Sequence, residues 1–289
     1  MSTYINLNSK FSTTRRLKKI SSKIGREQLI ASRKIKDEFS TRLFLKKDKN
    51  LKLEGGLRIK NCFKYNSFNK PLVTVITVVY NGDKDLEETI LSVLKQPYNN
   101  IEFIIIDGNS TDNSIKIIKK YDKALDYWLS EKDIGIYDAM NKGCSLALGS
   151  ALIFLNSGDK FVGNIFCKNF KPPFFLPCKV KDMSGNIWSR KISNPRWGMP
   201  TSHQAMVFKN RKILYNLSYK ISSDYDYFIR HGIFSRLEKN ISGYVLYCNN
   251  GISSKNKWRR DFETSLIIIK YFGVINLIRF LVNIFKLFK

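Results

Sequence analysis

VTVITVVY, residues 73–80, is an apolar, β-branched run without a single charged residue. A strand covered on one face alternates apolar with polar side chains, so an unalternating run of this length reads as a strand buried on both faces. Working outward, Asn81-Gly82 breaks the run. Leu86, Ile90, Val93 and Leu94 then share one helical face, and Pro97 stops the helix. Residues 101–106 repeat the buried-strand pattern and end in Asp107, and residues 108–113 are turn-rich. Helices are expected over 114–120 and 136–148, with strands over 127–130 and 151–155. Strand and helix alternating at this spacing predict an α/β domain with a mostly parallel sheet.

Charge divides the chain differently. The 289 residues carry 50 Lys plus Arg against 24 Asp plus Glu, a net +26. Residues 1–70 hold +14 and residues 166–257 hold +12, whereas residues 71–165 are net −4. A basic surface suits nucleic acid, an anionic membrane or an anionic substrate, and a plain Lys-rich solvated surface is the simpler alternative. In open α/β sheets ligands bind beyond the carboxyl ends of the strands, and there this sequence places acids, Asp107 and Asp159. That placement argues against nucleic acid. Carboxylates facing a pyrophosphate need a divalent cation between them, and Mg²⁺ or Mn²⁺ fills that role with oxygen ligands. Each Asp has an alternative as a loop or helix-cap residue.

Other chemistries find no support. Neither GxxxxGK[ST] nor a complete GxGxxG is present, and nothing matches a strand-turn-helix GxSxG. Two histidines, His203 and His231, make a zinc site unexpected. The five cysteines are scattered without a CxxC pair, which favours a reducing compartment over a disulfide framework. Residues 1–10 lack an apolar run of signal-peptide length, so secretion is not expected.

Four blocks in order, VTVITVVYN (73–81), IIDGNSTDNS (105–114), SEKDIGIYDAMNKG (130–143) and FLNSGD (154–159), resemble family 2 glycosyltransferases, above all those that build bacterial surface polysaccharides. PTSHQAMVF (200–208) and SDYDYFIR (223–230) extend the likeness to about residue 232. The resemblance implies the GT-A fold, a Rossmann-like mostly parallel sheet flanked by helices. It also implies a nucleoside diphosphate sugar donor, a UDP-sugar first, transferred with inversion to a glycan or lipid-linked acceptor. By the same likeness Thr77, Tyr80 and Asn81 line the nucleoside pocket and Asp107 contacts the base. Asp133, Asp138 and Asn141 fall in the donor site, and His203 and Gln204 line the sugar or acceptor site. Asp159 is the metal ligand for Mn²⁺ or Mg²⁺, alone because Asn156-Ser157-Gly158 lacks the motif's other acids. Asp224 is the general base, with Asp226 a competitor two residues on and a helix-cap role as its alternative.

Four segments follow: a basic N-terminal extension (1–70), a nucleotide-sugar half (71–165), an acceptor half (166–257) and an amphipathic C-terminal helix (258–289). Residues 14–36 read either as a basic helix or as a loosely packed extension, and residues 171–200, with five of the seven prolines, as irregular structure over the sheet. Asn276, Arg279, Asn283 and Lys286 form a narrow polar face within the apolar stretch 265–289, as in a helix lying in a membrane interface, or one packed on protein. An enzyme on the cytoplasmic side, peripheral on the inner face of the plasma membrane, would meet an anionic leaflet there. A non-catalytic nucleotide- or glycan-binding relative and a nucleic-acid-binding protein are the competing readings.

Overall fold

Burial without alternation is what the first strand shows: all seven residues of β2 (Val73–Val79) are buried. In this computed structural model the described residues are 6–19, 43–45, 51–67, 69–166, 170–234, 236–238, 241–249, 254 and 256–286. β3 (Ile101–Asp107), β4 (Tyr127–Glu131) and β5 (Ala151–Phe154) join β2 in parallel, in the order β4-β3-β2-β5. α1 (Asp83–Leu94), α2 (Ser114–Lys120) and α3 (Ile136–Leu146) are the crossovers.

The two faces of β2 feed different cores. Val73, Val75 and Val79 pack with Leu86, Ile90 and Val93 of α1, whereas Ile76 and Val78 pack with Met140 and Cys144 of α3. Each such side chain taken fully out of water contributes about 1.5–3 kcal/mol, which is why this run dominates the local pattern.

Antiparallel strands extend the sheet at both ends. β1 (Leu51–Gly55) pairs with β4, while β10 (Met206–Lys209) joins β5 and carries β7 (Phe174–Phe175) at its far edge. The end of the basic extension is therefore stitched into the domain. Arg58, 1% exposed, puts Nη2 2.6 Å from Glu102 Oε1 on β3 and also donates to the Leu43 and Leu146 carbonyls. Glu102 Oε2 accepts from Thr74 Oγ1 and the Leu148 amide. The helix expected over 14–36 begins otherwise, with a 3₁₀ turn at Ser12–Thr14 and Lys18–Lys19 laddered to Cys62–Phe63; residues 20–36 lie outside the described residues.

The proline-rich stretch is more ordered than its sequence predicts. It contributes β8 (Cys178–Lys181) and β9 (Ile187–Ser189) to a second sheet with β6 (Lys160–Asn164) and β11 (Ser242–Cys248), in the order β9-β8-β11-β6. This sheet brings the Cys248 backbone to the strand-end loops.

The C-terminal stretch is two helices rather than one, α5 (Lys257–Phe272) and α6 (Val274–Lys286). Gly273 between them has φ +77°, a conformation that side chains with a Cβ rarely adopt. Inward, Ile267, Ile268 and Phe280 join the core beside α4 (Ser223–Arg230). No helix among the described residues is long and apolar enough to cross a membrane.

Candidate active site

The loops beyond β2 and β3 are laced together by short polar side chains, and this is what the GNSTDNS stretch does locally. Asn81, at φ +50°, receives the Thr111 amide on Oδ1 and gives its own amide to Ser110 Oγ at 2.8 Å. The Gly82 amide reaches Ser114 Oγ, the Asp83 amide reaches Asp112 Oδ2, and the Ser114 amide is held by Asp112 Oδ1. Each bond satisfies a backbone donor at or just before a helix start, where the chain otherwise leaves N–H groups open. The result is a rigid rim at the carboxyl end of the sheet.

Asp107 lies at the base of that rim and is fully buried. Its Oδ2 accepts from the Ser110 amide at 3.0 Å and Ser130 Oγ at 2.6 Å, while Oδ1, also buried, has no hydrogen-bond partner among the described residues. Tyr80, 68% exposed, stands beside it. Gly108 packs close to both neighbours: a Cβ there would lie 2.9 Å from Asp133 Oδ2 and 3.5 Å from the Tyr80 side chain. Asp133 and Asp138 converge on Lys142, whose Nζ also meets Glu131 Oε1 at 2.7 Å. Burial pushes the Asp133 carboxyl above its ordinary value against the pull of Lys142. Lys142, one turn beyond Asp138 on α3, is absent from the residues expected in the site, although it lies in the same sequence block.

Two expected donor contacts have other work. Thr77 is fully buried and donates Oγ1 to the Leu155 carbonyl at 2.6 Å, tying β2 to β5. Asn141 clamps the backbone of Tyr215 from both sides of its amide, at 3.0 and 2.6 Å. Both side chains are thus engaged within the protein: family likeness gives a position along the chain, not the direction of the side chain.

Asp159, 4% exposed, has both oxygens engaged by protein donors: Oδ2 by Gln204 Nε2 at 2.8 Å and Oδ1 by the Cys248 amide at 2.9 Å. Burial pushes its carboxyl up to about 7, against the pull of the Cys248 amide, His203 and Gln204. Among the described residues no three His, Cys, Asp or Glu side chains converge as a metal-holding group. A carboxylate sealed this way and drawn toward its neutral form does not fit a ready-made cation site. Gln204, expected to line the sugar or acceptor site, is the buried partner of Asp159.

Across the mouth a second polar chain runs from the sheet to α4. Asn156 Nδ2 is 3.4 Å from His203 Nε2, and His203 Nδ1 is 3.2 Å from Asp224 Oδ2. Both side chains keep some solvent access, 14% and 21%. Asp224 sits in the first turn of α4 and its Oδ1 takes the Tyr225 amide at 2.9 Å. Asp226, the competitor for the base, is buried and held by Arg230 Nε at 2.7 Å and the Tyr271 hydroxyl at 2.9 Å. It anchors the helix.

The turn before α4 is held from α5: the Glu263 carboxylate accepts the amides of Lys220, Ile221 and Ser222 at 3.0, 2.8 and 3.0 Å. Burial works to raise the Glu263 carboxyl, and the backbone donors with Arg259 outweigh it, leaving it below its ordinary value. Neither Asn156 nor Glu263 is expected from the sequence. Asn156 is visible there only as a missing acid, and Glu263 acts on a turn some forty residues away.

Loops and carboxylates gathered at the carboxyl ends of a mostly parallel sheet with helices on both faces define a GT-A fold, and solved structures agree. TarS of S. aureus, solved with UDP, superposes with a TM-score of 0.53 at 17% identity over 73% of this chain and 70% of that one. The mannosyltransferase PcManGT of Pyrobaculum calidifontis, solved with GDP-Man and Mn²⁺, gives 0.51 at 17% identity over 71% and 66%. Residues 74–161 match the model of glycosyl transferase family 2.

An uncharacterised glycosyltransferase of Mycobacterium tuberculosis is 44% identical over 94 residues, 32% of this chain and 36% of its own. TuaG of Bacillus subtilis, named for teichuronic acid biosynthesis, is 39% identical over 95 residues, 32% of this chain and 38% of its own. The chain thus spans little more than a third of the length of these relatives.

Proposed function

We propose that the protein is an inverting glycosyltransferase that moves a sugar from a nucleoside diphosphate donor to a hydroxyl of a polysaccharide or lipid-linked acceptor. The observation that carries this reading is Asp224, a partly accessible carboxylate paired with His203 at the mouth of the strand-end site. In the transfer the acceptor oxygen attacks the anomeric carbon, its proton passes to the Asp224 carboxylate, and the bond to the diphosphate breaks with its electron pair on the leaving oxygen. The buried, unpartnered Oδ1 of Asp107 is the acceptor for an N–H of the donor's base, and Tyr80 supplies a ring to stack on it. Asn81, Asp133 and Asp138 shape the donor pocket, Asp133 and Asp138 through Lys142. UDP in TarS and GDP-Man in PcManGT support the class of donor, with a UDP-sugar our first choice, and the teichuronic acid name of TuaG supports a surface polysaccharide.

A divalent cation, Mn²⁺ as in PcManGT or Mg²⁺, would neutralise the leaving diphosphate. Asp159 as placed does not fit that duty. The test is release of nucleoside diphosphate from UDP-glucose, UDP-N-acetylglucosamine and GDP-mannose with either ion. A donor turned over by the wild type and not by Asp224→Asn supports transfer. A donor that binds without turnover favours the non-catalytic relative.

The outer faces of α5 and α6 support a place on the cytoplasmic face of an anionic membrane. Trp258, Phe262, Leu266 and Ile269 repeat at helical spacing along α5, and Val274, Ile275, Ile278 and Leu281 along α6, all exposed. Arg259, Arg260, Lys270 and Arg279 flank them. An amphipathic surface of this composition partitions into an anionic interface through apolar burial and charge together. Replacing Trp258, Phe262, Ile275 and Ile278 together by serine should lower sedimentation with phosphatidylglycerol vesicles by roughly a hundredfold, at about 1 kcal/mol or somewhat less per side chain. The melting temperature should hold. Unchanged sedimentation would refute the membrane assignment.

A further inference from the structure

His203 stands between two groups it does not need for packing: Asn156 on the loop after β5 and Asp224 on α4. An ionised carboxylate only accepts hydrogen bonds, so the 3.2 Å contact to Asp224 Oδ2 requires a proton on Nδ1. The other nitrogen faces the Asn156 amide. As placed, Asn156 Nδ2 donates to Nε2 and leaves Asn156 Oδ1 buried without a partner among the described residues; with the amide turned over, Oδ1 accepts from Nε2–H instead. Both arrangements keep the Nδ1 proton on Asp224. Asp224 Oδ1 is fixed separately by the Tyr225 amide, so the carboxylate is held at both oxygens and each retains a lone pair for an incoming hydroxyl.

We propose that His203 is a positioning residue for the base, an imidazole whose Nδ1–H sets the rotamer of Asp224 and whose Nε2 is steadied by Asn156. This deepens, and rests on, the reading of Asp224 as the proton acceptor. The physical reason is geometric: a base displaced by an ångström from its hydroxyl loses about a hundredfold in rate. A free carboxylate on the first turn of a helix has several rotamers, and the imidazole selects one.

The chain contains only two histidines, so a long-range ¹H–¹⁵N spectrum of the ¹⁵N-labelled full chain has two rings to resolve. His203 is assigned by its loss in His203→Gln. At pH 7.5 its Nδ1 should carry a proton, and in Asp224→Ala the ring should shift toward the Nε2–H form. An unprotonated Nδ1 in the wild type, or no response to Asp224→Ala, overturns the proposal without any activity assay.

Kinetics with the donor turned over in the panel above provide the second arm. His203→Ala should lower kcat by about ten- to a hundredfold with donor KM within about twofold. His203→Asn, which puts an amide N–H near the place of Nδ1, should restore most of the loss, and His203→Gln, which reaches the place of Nε2, should not. In an Asp224→Asn background His203→Ala should add nothing. If Asp224→Asn turns over at full rate, the base assignment falls while the spectrum still reports the pairing. If Asp224→Asn is inactive and His203→Ala runs at full rate, the positioning role alone is wrong.

Discussion

Asp224→Asn should lower sugar transfer by about 10²–10⁴-fold, the range for losing a positioned general base, while leaving affinity for the nucleotide intact. The substitution keeps the shape of the side chain and an oxygen for the Tyr225 amide, so the helix start is not disturbed. What is lost is the capacity to take the acceptor's proton. The effect should fall on kcat, because the base acts in the transition state and contributes little to ground-state binding. Titration with UDP and GDP against the variant separates the two quantities. Asp226→Asn is the informative contrast: its carboxylate is buried against Arg230 and Tyr271, so its loss should appear as lower stability. A variant at 224 that transfers at the wild-type rate would remove the base assignment.

The second large effect is on folding. Arg58→Met should cost about 3–5 kcal/mol, because it leaves Glu102 charged and buried. Thr74 and the Leu148 amide would still donate to that carboxylate and buried Lys64 would still act on it at longer range, yet its direct ion-pair partner is gone. The Leu43 and Leu146 carbonyls lose a donor at the same time. Urea denaturation should show the midpoint falling at constant slope. Pairing the change with Glu102→Gln should recover part of the loss, since no charge is then stranded. A single variant as stable as the wild type would show that the Arg58–Glu102 pair contributes nothing to the fold.

The contrast between these two sites explains what the sequence makes legible. The parallel strands announce themselves because both faces are buried, and the pattern of β2 alone predicts helices on either side. The second sheet does not. Its strands β8 and β9 are four and three residues long and lie within a proline-rich stretch, too short for any period to register. The site residues divide in the same way. Asp107 ends β3 and Asp159 lies in the loop after β5, so both are found by position, but Thr77 and Asn141 show that position does not say which way a side chain turns. Arg58 and Glu102 are far apart in the chain, as are Glu263 and the turn before α4; long-range pairings leave no periodic trace. The break at Gly273 is the exception, a glycine inside an apolar helical stretch that can be weighed from the sequence alone.

Helix α5 joins two tasks that are usually separable. One side carries the exposed apolar row, and the other grips the turn leading into Asp224 through Glu263. On the function proposed above, attachment and competence are built on one element and cannot be trimmed independently. A recombinant version cut before Lys257 for better solubility would keep every group of the candidate site, lose its hold on the turn before Asp224, and be scored as inactive. An inventory of its residues would give no hint why.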